Sequence, residues 1–293
     1  MAASSHAKTD ANVSAQQVVF QDEDTRADGK PLAFITGASS GIGVAFARKL
    51  AAEGYDLFLT ARREKELSVM AAALRAKHDA AVDYLGADLS KEDDLKKLEK
   101  KIVELDRLDL LVNNAGFGVV GKFHEAALEK QIKMADVHVV AALRLLWTAL
   151  GRMAPAKKGA IVNVSSLAAL LPVNGSANYA ATKAYLVTLT KTLKREYADD
   201  GVDFQALCPG FTYTEFHDTD EFEGFDRRDI PKMFWMSAEK VADASIKALR
   251  KRRTIVVPGF VNRLVAATLD NALGAAIISA LGGKRRPNRA EKK

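Results

Sequence analysis

The stretch Thr36-Gly37-Ala38-Ser39-Ser40-Gly41-Ile42-Gly43 stands between a short apolar run, Leu32–Ile35, and helical periodicity over 42–53. A strand that breaks into glycines and resumes as a helix is the first unit of a βαβ fold. Glycines there permit a tight turn, let a phosphate approach the backbone, and let helix and strand pack closely. The helix N-terminus also offers unpaired N–H groups to an anion. The spacing is G-x-x-x-G-x-G, not the commoner G-x-G-x-x-G, so its place after the first strand carries the argument. An ordinary glycine turn is the alternative.

Working outward, apolar runs at Leu57–Thr60, Val82–Leu85, Leu110–Val112, Ile161–Val164, Phe204–Leu207 and Thr254–Val257 read as strands. Helical patterns fall between them, near 64–77, 91–104, 128–152, 177–199 and 237–251. Strict alternation implies parallel strands in a doubly wound α/β sheet with helices on both faces. No internal repeat is visible, and residues 31–283 read as one domain. Residues 1–30, rich in Ala, Ser, Gln and acids, read as a disordered extension without the apolar core of a secretory signal.

The chain has 293 residues and is 48% hydrophobic and 27% charged, which suits a globular protein with a sizeable core. Its net charge of +6 is concentrated in the basic tail 284–293, where six Lys or Arg meet one acid. A solvated tail fits better than a nucleic-acid surface. The single cysteine, Cys208, excludes an intrachain disulfide and suits a reducing, cytoplasmic setting. The histidines at 6, 78, 124, 138 and 217 show no H-x-x-x-H spacing, so no metal site is expected.

Chemistry is expected at Tyr179-Ala180-Ala181-Thr182-Lys183. Positions four apart share a helix face, which sets a phenol beside an ammonium. That charge should lower the phenol's pKa from about 10 and fit Tyr179 for general acid–base work. For the cofactor, the second strand ends Ala61-Arg62-Arg63 with no acid before Glu64. Arg suits a 2′-phosphate, so NADP(H) is preferred to NAD(H); the alternative is that both arginines merely begin a solvated helix.

Taken together, Thr36–Gly43, Asn113-Asn114-Ala115-Gly116, Ser165-Ser166, Tyr179-x-x-x-Lys183 and Cys208-Pro209-Gly210 resemble the short-chain dehydrogenase/reductase family over about 31–257. The resemblance implies a Rossmann-type fold with a mainly parallel seven-stranded sheet. It implies a carbonyl or alcohol substrate, no metal, and a homo-oligomer, dimer or tetramer. By the same resemblance Ser166 would hold the substrate oxygen, and Lys183 would also bind the nicotinamide ribose. The cofactor would lie on Gly37, Ser39, Ser40, Gly41, Ile42 and Gly43, with Asp88 and Leu89 at the adenine. Asn114, Ala115, Gly116, Tyr179, Pro209, Gly210, Thr212 and Thr214 would complete its site.

One position departs from the family. His138, in Asp136-Val137-His138-Val139, stands where relatives carry an Asn that holds a water near the lysine. It reads as a packed helix histidine, as a replacement proton relay with a pKa near 6.5, or as the sign of a weakened enzyme. Residues 215–236 carry Phe216, Phe222, Phe225, Met233, Phe234, Trp235 and Met236 among acids. By resemblance this is a variable lid. Its aromatics suit an apolar substrate or the packing of a short helix. Beyond it, Phe260–Leu281 has helical apolar spacing, consistent with docking on the body or a partner subunit. An interfacial membrane helix is the lesser alternative. The rival to an enzyme is a dinucleotide-binding sensor or scaffold without turnover.

Overall fold

Side chains that alternate across each strand build two cores in the computed structural model, which describes residues 29–171, 174–218, 222 and 226–267. In β1 (Leu32–Thr36), Ala33 and Ile35 enter one core and Phe34 the other. In β4 (Leu110–Asn113), Leu110 and Val112 go one way and Leu111 the other. β2 (Asp56–Ala61), β3 (Val82–Gly86), β5 (Gly159–Val164) and β6 (Val202–Leu207) join them. A pair of two-residue strands follows, β7 (Thr212–Tyr213) and β8 (Met236–Ser237), and then β9 (Ile255–Val256). The main sheet is seven-stranded in the order β3-β2-β1-β4-β5-β6-β9, and each pairing is parallel.

Helices cover both faces, as expected. α1 (Gly41–Ala52), α2 (Glu64–Lys77) and α7 (Ala238–Leu249) pack on the Ile35 side. α3 (Glu92–Glu104), α5 (Ala142–Met153) and α6 (Ala177–Glu196) pack on the Phe34 side, where Phe34 stacks on Phe58 at 4.8 Å. Burying such a ring fully is worth about 1.5–3 kcal/mol. Strand order reverses between β1 and β4, and that switch point opens a crevice at the carboxyl ends of the strands.

The long helix expected over 128–152 is not uniform. α4 (Leu128–Ala135) passes through a π-helical turn, Asp136–Ala141, before α5. Such turns carry i→i+5 bonds and accommodate an extra residue that simple 3.6 periodicity cannot signal. His138 lies in this turn and is buried. Leu128–Met153 is long and apolar enough to cross a membrane by length and composition, but half of its most apolar window is packed inside the fold. The short parallel pair β7–β8 was not expected; it ties together the two ends of the intervening segment. Of the apolar stretch after Pro258, α8 (Phe260–Ala267) is described. Its continuation, the basic tail and most of the N-terminal extension lie outside the described residues.

Candidate active site

The carboxyl ends of the strands bring the expected residues to one edge. The turn after β1 is joined to the end of β4 by Thr36: its Oγ1 accepts from the Asn114 and Ala115 N–H groups at 2.9 and 3.0 Å. Asn114 returns the contact, its Nδ2 donating to the Thr36 carbonyl at 2.8 Å. Gly43 has no room for a side chain, since a Cβ there would lie 2.2 Å from the Gly37 carbonyl oxygen. Gly37 itself has φ +66°, a conformation that favours glycine. A loop packed this closely, with α1 starting at Gly41, fits a pyrophosphate cradle.

Ser165 and Ser166 follow β5. Ser165 donates its hydroxyl proton to the Lys183 carbonyl at 2.7 Å and so pins α6 to the strand end. Ser166 caps the single 3-10 turn Leu167–Ala169, accepting from the Ala168 N–H at 3.1 Å, and its side chain is near enough to the Tyr179 phenol to lower that group's pKa. Tyr179 is partly exposed as a residue, with its hydroxyl end packed inside.

Lys183 is buried, 4% exposed, with Nζ donating to the Val164 carbonyl at 2.9 Å and standing 5.9 Å from the Tyr179 ring centroid. Burial lowers its pKa from 10.5 to about 8. The phenol behaves otherwise than the sequence suggested. Burial raises the Tyr179 pKa above 10.0, against a hydrogen bond from Ser166 that pulls it down. Desolvation of the phenolate prevails, and the lysine expected to lower the pKa is not among the groups that shift it.

His138 is held at both nitrogens. Nε2 accepts from the Phe117 N–H at 3.1 Å, and Nδ1 lies 2.9 Å from Thr182 Oγ1, which donates to the Tyr179 carbonyl at 2.8 Å. An acceptor at Nε2 makes Nδ1 the protonated nitrogen of a neutral ring. Its edge meets the Tyr179 ring at 5.7 Å. Burial, then the Lys183 charge, push its pKa well below 6.5, so the ordinary imidazole range expected from sequence does not apply here. The chain beneath it must be glycine, because a Cβ on Gly116 would meet Nε2 at 2.7 Å.

The remaining expected residues ring this centre. Leu89 is buried after β3, beside Asp88. Burial works to raise the Asp88 pKa, but hydrogen bonds from Ser90 and Lys133 prevail and leave it lowered. Its carboxylate accepts from the Ser90 N–H and hydroxyl at 3.1 and 2.8 Å. The Pro209 carbonyl accepts from the Leu167 N–H, Thr212 Oγ1 donates to the Gly210 carbonyl, and Thr214 caps the turn Glu215–His217. Ser40 is the N-cap residue of α1, and Ile42 packs on the core beneath it. Arg63 donates to the Ser39 carbonyl at 3.2 Å, beside exposed Arg62.

The chain as a whole is similar to known proteins. Residues 31–222 match the model of the short chain dehydrogenase family. The chain belongs to the short-chain dehydrogenase/reductase family. An uncharacterized oxidoreductase of Staphylococcus epidermidis is 31% identical over 219 residues, 74% of this chain and 90% of that protein. The structure of a short-chain dehydrogenase from Sphingobium yanoikuyae in complex with NADPH aligns with TM-score 0.75 at 32% identity, covering 89% of this chain and 99% of that one. A family member from Burkholderia phymatum in complex with NAD aligns with TM-score 0.74 at 26% identity, covering 88% and 98%. This short-chain dehydrogenase is therefore an oxidoreductase built to take a nicotinamide dinucleotide.

Sequence reasoning missed the partners of the motif residues. Thr182 lies inside the Tyr179–Lys183 motif, three residues after the tyrosine, and helical spacing alone could have marked it as a neighbour. Phe117 and Glu215 carry no comparable signal, because their contacts are made with distant stretches of chain.

Proposed function

We propose that this short-chain dehydrogenase is an NADP(H)-dependent carbonyl reductase or alcohol dehydrogenase acting on apolar substrates, with Tyr179 as general acid and base. The observation that carries this reading is a buried Lys183, hydrogen-bonded to the end of β5 and 5.9 Å from the Tyr179 ring, with Ser166 following the same strand at the edge that holds the glycine turn. A bound nicotinamide would supply the hydride. Charge building on the substrate oxygen would be met by the Ser166 hydroxyl and by the proton of Tyr179. The tyrosinate left after donation would take its proton back from solvent, and the Lys183 ammonium, still largely protonated at neutral pH, would stabilise it until then.

His138 enters this mechanism as a positioning residue. Neutral and bonded at both nitrogens, it ties the Gly116–Phe117 loop to Thr182 and so to the turn of α6 that bears Tyr179. The same residues that fit the family's cofactor pattern would hold the dinucleotide: Gly37–Gly43, Asp88, Leu89, Asn114–Gly116, Lys183, Pro209, Gly210, Thr212 and Thr214. Arg62 and Arg63 would meet the 2′-phosphate. An apolar substrate is supported by Phe216, whose ring lies 5.9 Å from that of Tyr179, and by Phe222 at 5.3 Å from Phe216.

Titrating NADPH and NADH by fluorescence tests the cofactor. NADPH should bind the wild type more tightly. Arg62→Ala/Arg63→Ala should weaken it by roughly tenfold to a hundredfold, from charge-assisted hydrogen bonds worth about 1.5–3 kcal/mol. Equal affinities in the wild type would refute the preference. A homo-oligomer is part of this reading, supported by the exposed apolar row Leu128, Ile132, Val140, Leu143 and Trp147 along α4 and α5. Leu143→Glu/Trp147→Glu should lower the mass seen by sedimentation; an unchanged mass removes that row from any interface.

A further inference from the structure

The residue next to Phe216 ties the lid to the cofactor end of the site. Glu215 Oε2 lies 2.9 Å from Arg63 Nη2, and the same guanidinium bonds Ser39 of the glycine turn through Nη2 at 3.2 Å and Nε at 3.4 Å. Thr214, one residue earlier, rests on that turn: a Cβ on Gly41 would meet its Cγ2 at 2.8 Å. Thr214 Oγ1 then accepts from the Phe216 N–H at 3.2 Å, which makes Glu215–His217 a stiff single turn. Arg227 closes the loop behind it, its Nη2 donating to the Thr214 carbonyl and to Asp218, both at 2.7 Å.

We propose that Glu215 is a specificity-determining residue that competes with the cofactor's 2′-phosphate for Arg63, so that one ion pair couples dinucleotide choice to the aromatic cover over Tyr179. This rests on the reading of Arg63 as the phosphate's ligand. A carboxylate and a phosphate want the same fork of the same guanidinium, and the phosphate brings more charge and more acceptor oxygens. A 2′-hydroxyl cannot displace the carboxylate. NADP(H) therefore frees Glu215 and with it the turn whose next residue leans on Tyr179, whereas NAD(H) leaves the pair closed. The pair is half-exposed, 43% and 62% by side chain, so the competition is modest. An exposed pair of about 0.2–1 kcal/mol corresponds to roughly a 1.4- to 5-fold change in affinity.

The test is cofactor binding in four proteins: wild type, Glu215→Gln, Arg63→Ala and the double variant. Glu215→Gln should tighten NADPH by roughly two- to fivefold and leave NADH unchanged. In the Arg63→Ala background the same substitution should do nothing. If it still tightens NADPH there, the effect is through-space repulsion and the competition is refuted. If Arg63→Ala alone leaves NADPH affinity intact, the premise about Arg63 fails, and that outcome is distinct. A second readout follows the lid. The chain has two tryptophans, and Trp235 stacks on Tyr213 at 4.8 Å within the lid segment. In a Trp147→Phe background, NADP+ should change Trp235 emission and NAD+ should not, and Glu215→Gln should show part of that change before any cofactor is added. Identical responses to the two oxidised cofactors overturn the coupling.

Discussion

The floor and the roof of the site are held by different physics. Lys183 and His138 in the floor are almost wholly buried, and hydrogen bonds join Lys183 to the end of β5, His138 to Thr182, and Thr182 to the Tyr179 carbonyl. The roof, between β7 and β8, is made of single 3-10 turns, stacked rings and exposed ion pairs such as Arg228–Asp226 and Arg63–Glu215. Exposed pairs contribute about 0–1 kcal/mol each, while an unsatisfied buried group costs about 1–3. The buried groups thus sit where displacement is costly, and the segment between β7 and β8 sits where displacement is cheap.

The sharpest way to test that contrast is to remove a reacting atom from the floor without disturbing its packing. Tyr179→Phe keeps the ring and loses the proton donor. Turnover should fall on the order of 10²–10⁴-fold, with NADPH affinity nearly unchanged. Activity close to wild type would take Tyr179 out of the mechanism.

A smaller effect is expected where a floor residue only positions others. His138→Ala removes the partner of the part-buried Phe117 N–H and one of the two partners of the Thr182 hydroxyl, and should cost about 2–4 kcal/mol in urea unfolding along with a loss of kcat. His138→Asn, able to donate and accept, should recover part of both. Because burial and Lys183 hold the imidazole well below 6.5, the pH–rate profiles of wild type and His138→Asn should coincide around that pH. An inflection there in wild type alone would make the histidine a proton relay.

The smallest effect concerns the buried charge itself. Lys183 has a native pKa of about 8 against 10.5 when solvated, so between these values the unfolded chain holds more protons than the native one. Stability should then rise with pH as the penalty for the buried ammonium is relieved. From about pH 8 to pH 9 the wild type should gain roughly 1 kcal/mol relative to Lys183→Met. The neighbouring Cys208 thiol, which burial raises to about 11 and Lys183 pulls down, titrates above this window. A parallel course of the two unfolding midpoints would mean that the lysine is not desolvated.

Local order was legible because it is periodic or stereotyped. Seven apolar runs gave seven strands within a few residues, the glycine turn, Tyr179 and Lys183 were visible as spaced residue types, and Ser166 followed from the family resemblance. The sequence by itself determined which chemical groups are available and that an alternating α/β chain would carry them to one sheet edge. The tertiary structure decided their state. Spacing put Lys183 beside Tyr179, but burial set the sign of the phenol's shift. An apolar helix pattern contained His138, but a π-helical turn brought it between Phe117 and Thr182, 21 and 44 residues away in the chain. Arg63 and Glu215 were each a surface charge until folding joined the second strand to the lid. Desolvation and long-range pairing depend on what stands on every side of a group, and one-dimensional spacing reports only the neighbours along its own element.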